Sequence, residues 1–225
     1  STVVEDRNGE KLYDIFQDEN RILVSWEDIP QHLRDATVAI EDKGFYKHQG
    51  LSQTGIIRAF INIFLFHNFQ GGSTLTQQLV KNVLLTNERT LPRKIKEAIL
   101  AIQIERKYSK DEILRMYLNE APYGGTAIGV EAGSQNFFGK SVKELSLVES
   151  VILAGLPQSP TNYSPFGNDP KAYIGRAREV ARRMREDGYI SSAEELQIKD
   201  QLPKVEFAKG DQGLRAPHFV AYVRE

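Results

Sequence analysis

Gly71-Gly-Ser-Thr-Leu-Thr-Gln-Gln-Leu-Val-Lys-Asn82 is the stretch from which the fold class is read. Thr74 followed three residues later by Gln77 has the spacing of a capping box, in which two side chains satisfy backbone N–H groups left open at a helix start. The spacing recurs at Ser109 with Glu112, Ser146 with Glu149 and Ser191 with Glu194. Pro92 and Pro170 suit first helical positions, the latter after Asp169 as cap, and Gly139 and Gly188 suit helix ends. Roughly eight or nine helices joined by short loops follow from these signals. Pro30 opens a further helix running to about Lys43, and residues 1–28 read as short extended pieces with Asn8-Gly9 as a hairpin turn. Alternating strand patterns are nearly absent after residue 30, so the class is mainly α.

Composition sets outer limits. The 225 residues are 40% hydrophobic and 26% charged, ordinary values for a packed globule of one domain or two lobes. There is no cysteine, which excludes disulfides, thiolate metal sites and a thiol nucleophile. A formal net charge of −1 gives no basic field for nucleic acid. No run reaches the ~20 apolar residues of a membrane span, and no signal peptide opens the chain. The protein is therefore soluble, or its anchor lies outside this sequence. One segment stands out: Ile56, Ile57, Phe60, Ile61, Ile63, Phe64, Leu65 and Phe66 cover almost the whole circumference of one helix. A helix apolar all round is buried or touches lipid.

Three segments carry candidate chemistry. Ala39-Ile-Glu-Asp-Lys-Gly-Phe-Tyr-Lys-His-Gln-Gly50 puts two adjacent acids at a helix C-terminus, where the dipole disfavours negative charge. Glu41 beside Asp42 makes each harder to ionise and raises the proton affinity of one, as general-base work requires. A solvated acidic helix end, with Phe45 and His48 packing a loop, fits the same residues. In the 71–82 stretch, Thr74, Gln78 and Lys81 share a helix face opposite Leu75, Leu79 and Val83. That face suits ligand binding, and an ordinary solvated face fits as well. Glu88-Arg-Thr-Leu-Pro-Arg-Lys-Ile-Lys-Glu97 places Arg93, Lys94 and Lys96 at a helix start, against the macrodipole. Glu97 can pair with Arg93 for about 0.2–0.5 kcal/mol; a bound diphosphate would compensate the cluster more fully. The segments Tyr117-Leu-Asn119, Gly124 to Lys140 and Leu153-Ala-Gly-Leu-Pro157 read as helix packing and tight turns.

Together these segments, in this order, resemble the five motifs of family 51 glycosyltransferases, the peptidoglycan glycosyltransferase domain of class A penicillin-binding proteins. The matches are Glu-Asp-x-x-Phe-x-x-His-x-Gly at 41–50, Gly-Gly-Ser-Thr-x-Thr-Gln-Gln at 71–78, Arg-Lys-x-x-Glu at 93–97, Tyr117-Leu-Asn119, and Leu-Ala-Gly-Leu-Pro at 153–157. Resemblance covers roughly residues 3–190. Gly133 and Gln158 depart from it, where relatives often carry Ala and Lys. Gly133 is expected to affect packing only.

The resemblance implies a lysozyme-like, two-lobed helical domain at residues 29–200 with a small extended N-terminal segment (1–28). The smaller, membrane-proximal lobe would lie near 50–75, and residues 201–225 would start a linker toward a transpeptidase domain absent from this chain. It implies polymerisation of lipid II into β-1,4 glycan strands, with inversion and release of undecaprenyl diphosphate. Glu41 and Glu97 would be catalytic, the first deprotonating the acceptor 4-hydroxyl and the second assisting at the donor diphosphate. Asp42, Phe45, His48, Ser73, Thr74, Gln77, Gln78, Lys81, Asn82, Arg89, Arg93 and Lys94 would bind substrate. Room is left for a divalent cation (Mg or Mn) through Glu97 or Asp42, and no organic cofactor is implied. Expected partners are lipid II, the growing strand, moenomycin-type inhibitors and the outer surface of the bacterial cytoplasmic membrane, with no nucleic acid. The anchor would lie outside this sequence. A lysozyme-type hydrolase and a non-catalytic glycan-binding module are the rival readings.

Overall fold

The computed structural model describes residues 2–5, 11–15, 20–51, 73–85 and 90–208. The apolar run 56–69, Arg89, the Asn8-Gly9 turn and the 209–225 linker lie outside them. Of the smaller lobe expected near 50–75, only residues 50, 51 and 73–75 are described.

Two strands, β1 (Thr2–Glu5) and β2 (Lys11–Ile15), pair antiparallel, with Thr2 opposite Ile15. After β3 (Asn20–Arg21) the chain turns helical: α1 (Gln31–Glu41), α2 (Leu75–Leu84), α3 (Leu91–Lys107) and α4 (Lys110–Glu120). Two short strands follow, β4 (Pro122–Gly124) and β5 (Ala127–Ile128), and β5 lies between β4 and β3. They escape the sequence because three and two residues are too few to show alternation. The rest is α5 (Val130–Phe138), α6 (Leu147–Gly155), α7 (Pro160–Tyr163), α8 (Ala172–Glu186) and α9 (Ser192–Gln201). The chain is mainly α.

All four expected capping boxes form, opening α2, α4, α6 and α9. A fifth, Ser141 with Glu144, opens a short 3-10 turn. Gly139 ends α5 at φ 66°, and Gly188 follows α8 at φ 80°, conformations that only glycine adopts without strain. Pro170 does not begin its helix. Asp169 accepts from the Lys171 N–H in a turn, and α8 starts at Ala172.

One hydrophobic core, from Ile29 to Leu202, unites the helices. Helix α1 lies against α6 and α8, and α2 against α3 and α4. Enclosure on two sides explains why α1 buries the unbroken run Ala36 to Ile40. Phe45, Tyr117, Tyr123 and Phe137 are fully buried large anchors, each stabilising by about 2–3 kcal/mol relative to exposure. Helix α2 buries Leu75, Leu79 and Val80, but Val83 in its last turn is 51% exposed, against the expectation that it shares the core face. Ile95 and Ile99 on α3 are exposed as well.

Candidate active site

Glu41 is the last residue of α1, and its carboxylate is held from two other helices. Gln78 Nε2 on α2 donates to Oε2 at 2.9 Å, and Arg176 Nη2 on α8 donates to Oε1 at 3.2 Å. Tyr117 on α4 donates its hydroxyl to Gln78 Oε1 at 3.3 Å, fixing the amide that faces Glu41. Four helices thus meet at one carboxylate whose side chain is 9% exposed. Burial pushes the Tyr117 and Tyr123 phenols up, and the charge of Glu41 adds to it, so both stay neutral donors. The Tyr123 hydroxyl is buried without a hydrogen-bond partner. Burial pulls the Arg176 guanidinium down, with Glu41 opposing; an arginine remains charged regardless.

Two acids at the end of α1 looked unfavourable against its dipole, and α1 has no basic residue in its last turn. Helix α8 supplies the missing cations. Arg183 Nη1 donates to the Ile40 carbonyl at 2.9 Å, while Arg176 takes Glu41. Cations at a helix C-terminus are favourable.

Asp42 has a different task from the one its position suggested. His48 Nε2 donates to its carboxylate at 2.9 Å, and the Leu75 N–H donates at 3.0 Å. The acid therefore caps the start of α2 and pins the 43–50 loop to it; Glu41 and Asp42 share no partner. Thr74 Oγ1 donates to the Gly50 carbonyl at 2.7 Å from the other side. Thr74 (1% exposed), Gln77 and Phe45 are buried and used in packing or capping. The Phe45 ring also carries Lys110 Nζ 4.5 Å above its centroid. Lys81 and Asn82, one turn beyond Gln78, are exposed.

A second cluster sits at the start of α3. Glu97 is 2% exposed, and Arg93 Nη1 donates to it at 2.8 Å from the preceding turn. Lys94 also pairs with Glu97, and its Nζ donates to Ser73 Oγ at 2.7 Å. Arg93 Nε is buried without a partner. Two cations on one acid leave an excess positive charge beside the first turn of α2. Ser73 stands immediately before Thr74, the N-cap of α2, and Gln78 is the fourth residue of that helix. The basic cluster and Glu41 therefore lie along one helix.

Arg176 carries no local mark in the sequence, where Gly155 and Tyr117 read as packing residues. A Cβ on Gly155 would stand 2.9 Å from Arg176 Cγ, so this glycine clears the arginine's path. Asn119, two residues after Tyr117, exchanges hydrogen bonds with the Val24 backbone and secures the N-terminal segment. Gly133 packs against the Tyr123 ring, where a Cβ would come within 2.8 Å of Cγ. Its effect thus extends beyond local packing to a phenol beside Glu41.

The sequence profile of the transglycosylase family matches residues 8–185, more than half of the chain. Penicillin-binding protein 1A of Aquifex aeolicus (strain VF5) is 48% identical over 189 residues, 84% of this chain and 26% of that protein. Penicillin-binding protein 1A of Rickettsia bellii (strain RML369-C) is 42% identical over 228 residues, 100% of this chain and 29% of that protein. The chain spans little more than a quarter of the length of these curated relatives. Among solved structures, penicillin-binding protein 1A from Haemophilus influenzae matches with a TM-score of 0.59 at 25% identity, over 96% of this chain and 22% of that one.

Proposed function

Because this chain belongs to the transglycosylase family, we propose that it is a peptidoglycan glycosyltransferase that polymerises lipid II, with Glu41 as its general base. The observation that carries this reading is the placement beside α2 of a carboxylate held from two helices and a cation cluster with charge to spare.

Glu41 removes the proton from the acceptor 4-hydroxyl, and that oxygen attacks the donor anomeric carbon as the carbon–oxygen bond to the diphosphate breaks. Attack from the face opposite the leaving group gives inversion and a β-1,4 link. Undecaprenyl diphosphate departs with the electron pair and needs charge neutralisation more than a proton. Arg93 and Lys94 supply it, with Arg89 as a further candidate outside the described residues. Glu97 holds the two cations in place, and Gln78, Lys81 and Asn82 line the approach. A moenomycin-type phosphoglycolipid would compete for the same cations.

Asp42 and Glu97 do not fit as holders of a divalent cation. The Asp42 carboxylate is closed off by His48 and the Leu75 N–H, and Glu97 already faces two cations that would repel a third. Among the described residues no group of three or more His, Asp or Glu gathers.

We place the enzyme at the outer surface of the cytoplasmic membrane, where its lipid-linked substrates reside. Among the described residues no helix is long and apolar enough to cross a membrane. Ile95 and Ile99, exposed one turn apart on α3, offer an apolar strip beside the basic cluster. Ile95→Asp with Ile99→Asp should lower co-sedimentation with anionic liposomes several-fold; unchanged binding removes this strip from the proposal.

A lysozyme-type hydrolase would have no use for the Arg93–Lys94 cluster. Polymerisation of labelled lipid II decides the matter, with Glu41→Gln in parallel. Polymer from the wild type and none from the variant is expected. Sugar release from finished glycan without a lipid carrier would instead make the protein a hydrolase.

A further inference from the structure

Arg176 reaches Glu41 from 135 positions along the chain, and three contacts fix it on the way. Its stem crosses the end of α6 over Gly155, where even one extra carbon would stand 2.9 Å from Cγ. Its Nε donates to the Gly155 carbonyl at 3.3 Å, and its guanidinium lies 5.9 Å from the Tyr163 ring centroid. The side chain is 10% exposed. This arginine is held before it meets the acid.

An ordinary stabilising ion pair is a poor explanation for such an arrangement. Buried pairs add little net stability, and apolar residues of similar volume often serve as well. An apolar pair would not hold one oxygen of an ionised carboxylate while leaving lone pairs free. Glu41 has about four lone-pair sites; Arg176 and Gln78 each engage one oxygen, which leaves the acid oriented and still able to accept a proton.

We propose that Arg176 is the positioning residue of Glu41, and that Gly155, in the Leu153-Ala-Gly-Leu-Pro157 motif, lacks a side chain so that Arg176 can pass. This inference rests on the reading of Glu41 as the base. Arg176 sets both the direction and the charge environment of that base. Gln78 from α2 is a neutral donor to Glu41, the Tyr117 and Tyr123 phenols from α4 and β4 lie nearby uncharged, and Asp42, the next residue, turns to His48 and the Leu75 N–H. Arg183 engages the Ile40 carbonyl, and Glu179 pairs with Arg182 and Arg183. When Glu41 takes the acceptor proton, Arg176 is left buried beside a neutral acid, which favours prompt release of that proton.

The test is steady-state lipid II polymerisation with wild type, Glu41→Gln, Arg176→Met, Arg176→Lys and Gly155→Ala. Arg176→Met should lower kcat about a hundredfold through misplacement of the base, with KM for lipid II little changed. Arg176→Lys should lose roughly tenfold, since an ammonium keeps the charge but cannot reproduce the guanidinium fork. Gly155→Ala, an alanine tolerated by helical backbone, should show the Arg176→Met signature in milder form and serves where that variant fails to fold. A folded Arg176→Met or Gly155→Ala with wild-type kcat overturns the inference, as does a loss confined to KM. Those results leave the base assignment standing if Glu41→Gln is inactive. A wild type that makes no polymer overturns the functional reading and this inference with it.

Discussion

Two buried carboxylates, Glu41 and Glu97, are satisfied in opposite ways. Glu97 is 2% exposed and takes both its cations from its own helix, three and four positions earlier. Glu41 takes one amide from 37 positions away and one guanidinium from 135. The local arrangement carries surplus positive charge and suits a resting place for an anion. The long-range arrangement carries one cation and neutral donors, and suits a carboxylate that must gain and lose a proton. A helix can build the first alone; the second requires four helices to converge.

The comparison breaks most readily at Glu41. Glu41→Gln keeps an acceptor for Arg176 and loses the base, so polymerisation should fall by about a thousandfold. Stability in urea unfolding should fall by about 1–2 kcal/mol, because one cation is left facing an amide. A variant that polymerises at the wild-type rate would remove Glu41 from catalysis.

Glu97→Gln should show the reverse balance. It leaves Arg93 and Lys94 beside a neutral amide, and stability should drop by about 1–3 kcal/mol in the same urea measurement. Turnover should fall roughly tenfold to a hundredfold as the cations lose their position. If Glu97→Gln loses as much activity as Glu41→Gln at unchanged stability, Glu97 acts on substrate directly and the division between the two acids fails.

Asp42→Asn gives the smallest effect and sharpens the boundary of the Glu41 site. The amide cannot match a carboxylate at the Leu75 N–H and His48, so stability should fall by about 1–2 kcal/mol. Turnover should stay within about threefold of the wild type, because Glu41 and Asp42 share no partner. A loss of turnover as large as that of Glu41→Gln would give Asp42 a direct part in the Glu41 site.

Much of the fold was legible because capping is local. Thr74 with Gln77, Ser109 with Glu112, Ser146 with Glu149 and Ser191 with Glu194 each lie within one turn, and all four open a helix. Val83 was not legible. Its spacing from Leu79 places it on the apolar face, but only the first two turns of α2 are covered. The strands at 122–124 and 127–128 were too short to carry a pattern. In the candidate site, Glu41 and the Arg93–Lys94–Glu97 turn could be picked out as chemically unusual, since acids at a helix end and cations at a helix start oppose the dipole. Arg176 could not, because one arginine among several on α8 carries no sign of its partner.

The sequence by itself determined where helices begin, which charges stand against their dipoles, and the family to which the chain belongs. Those properties depend on neighbours within about one turn or on motif order. Tertiary structure alone decided which acid faces which cation. It turned Asp42 toward His48 and the start of α2, and brought Arg176 over Gly155 to Glu41. Such pairings are set by how α1, α6 and α8 pack, and packing depends on the shapes of distant side chains that meet only once the chain has folded.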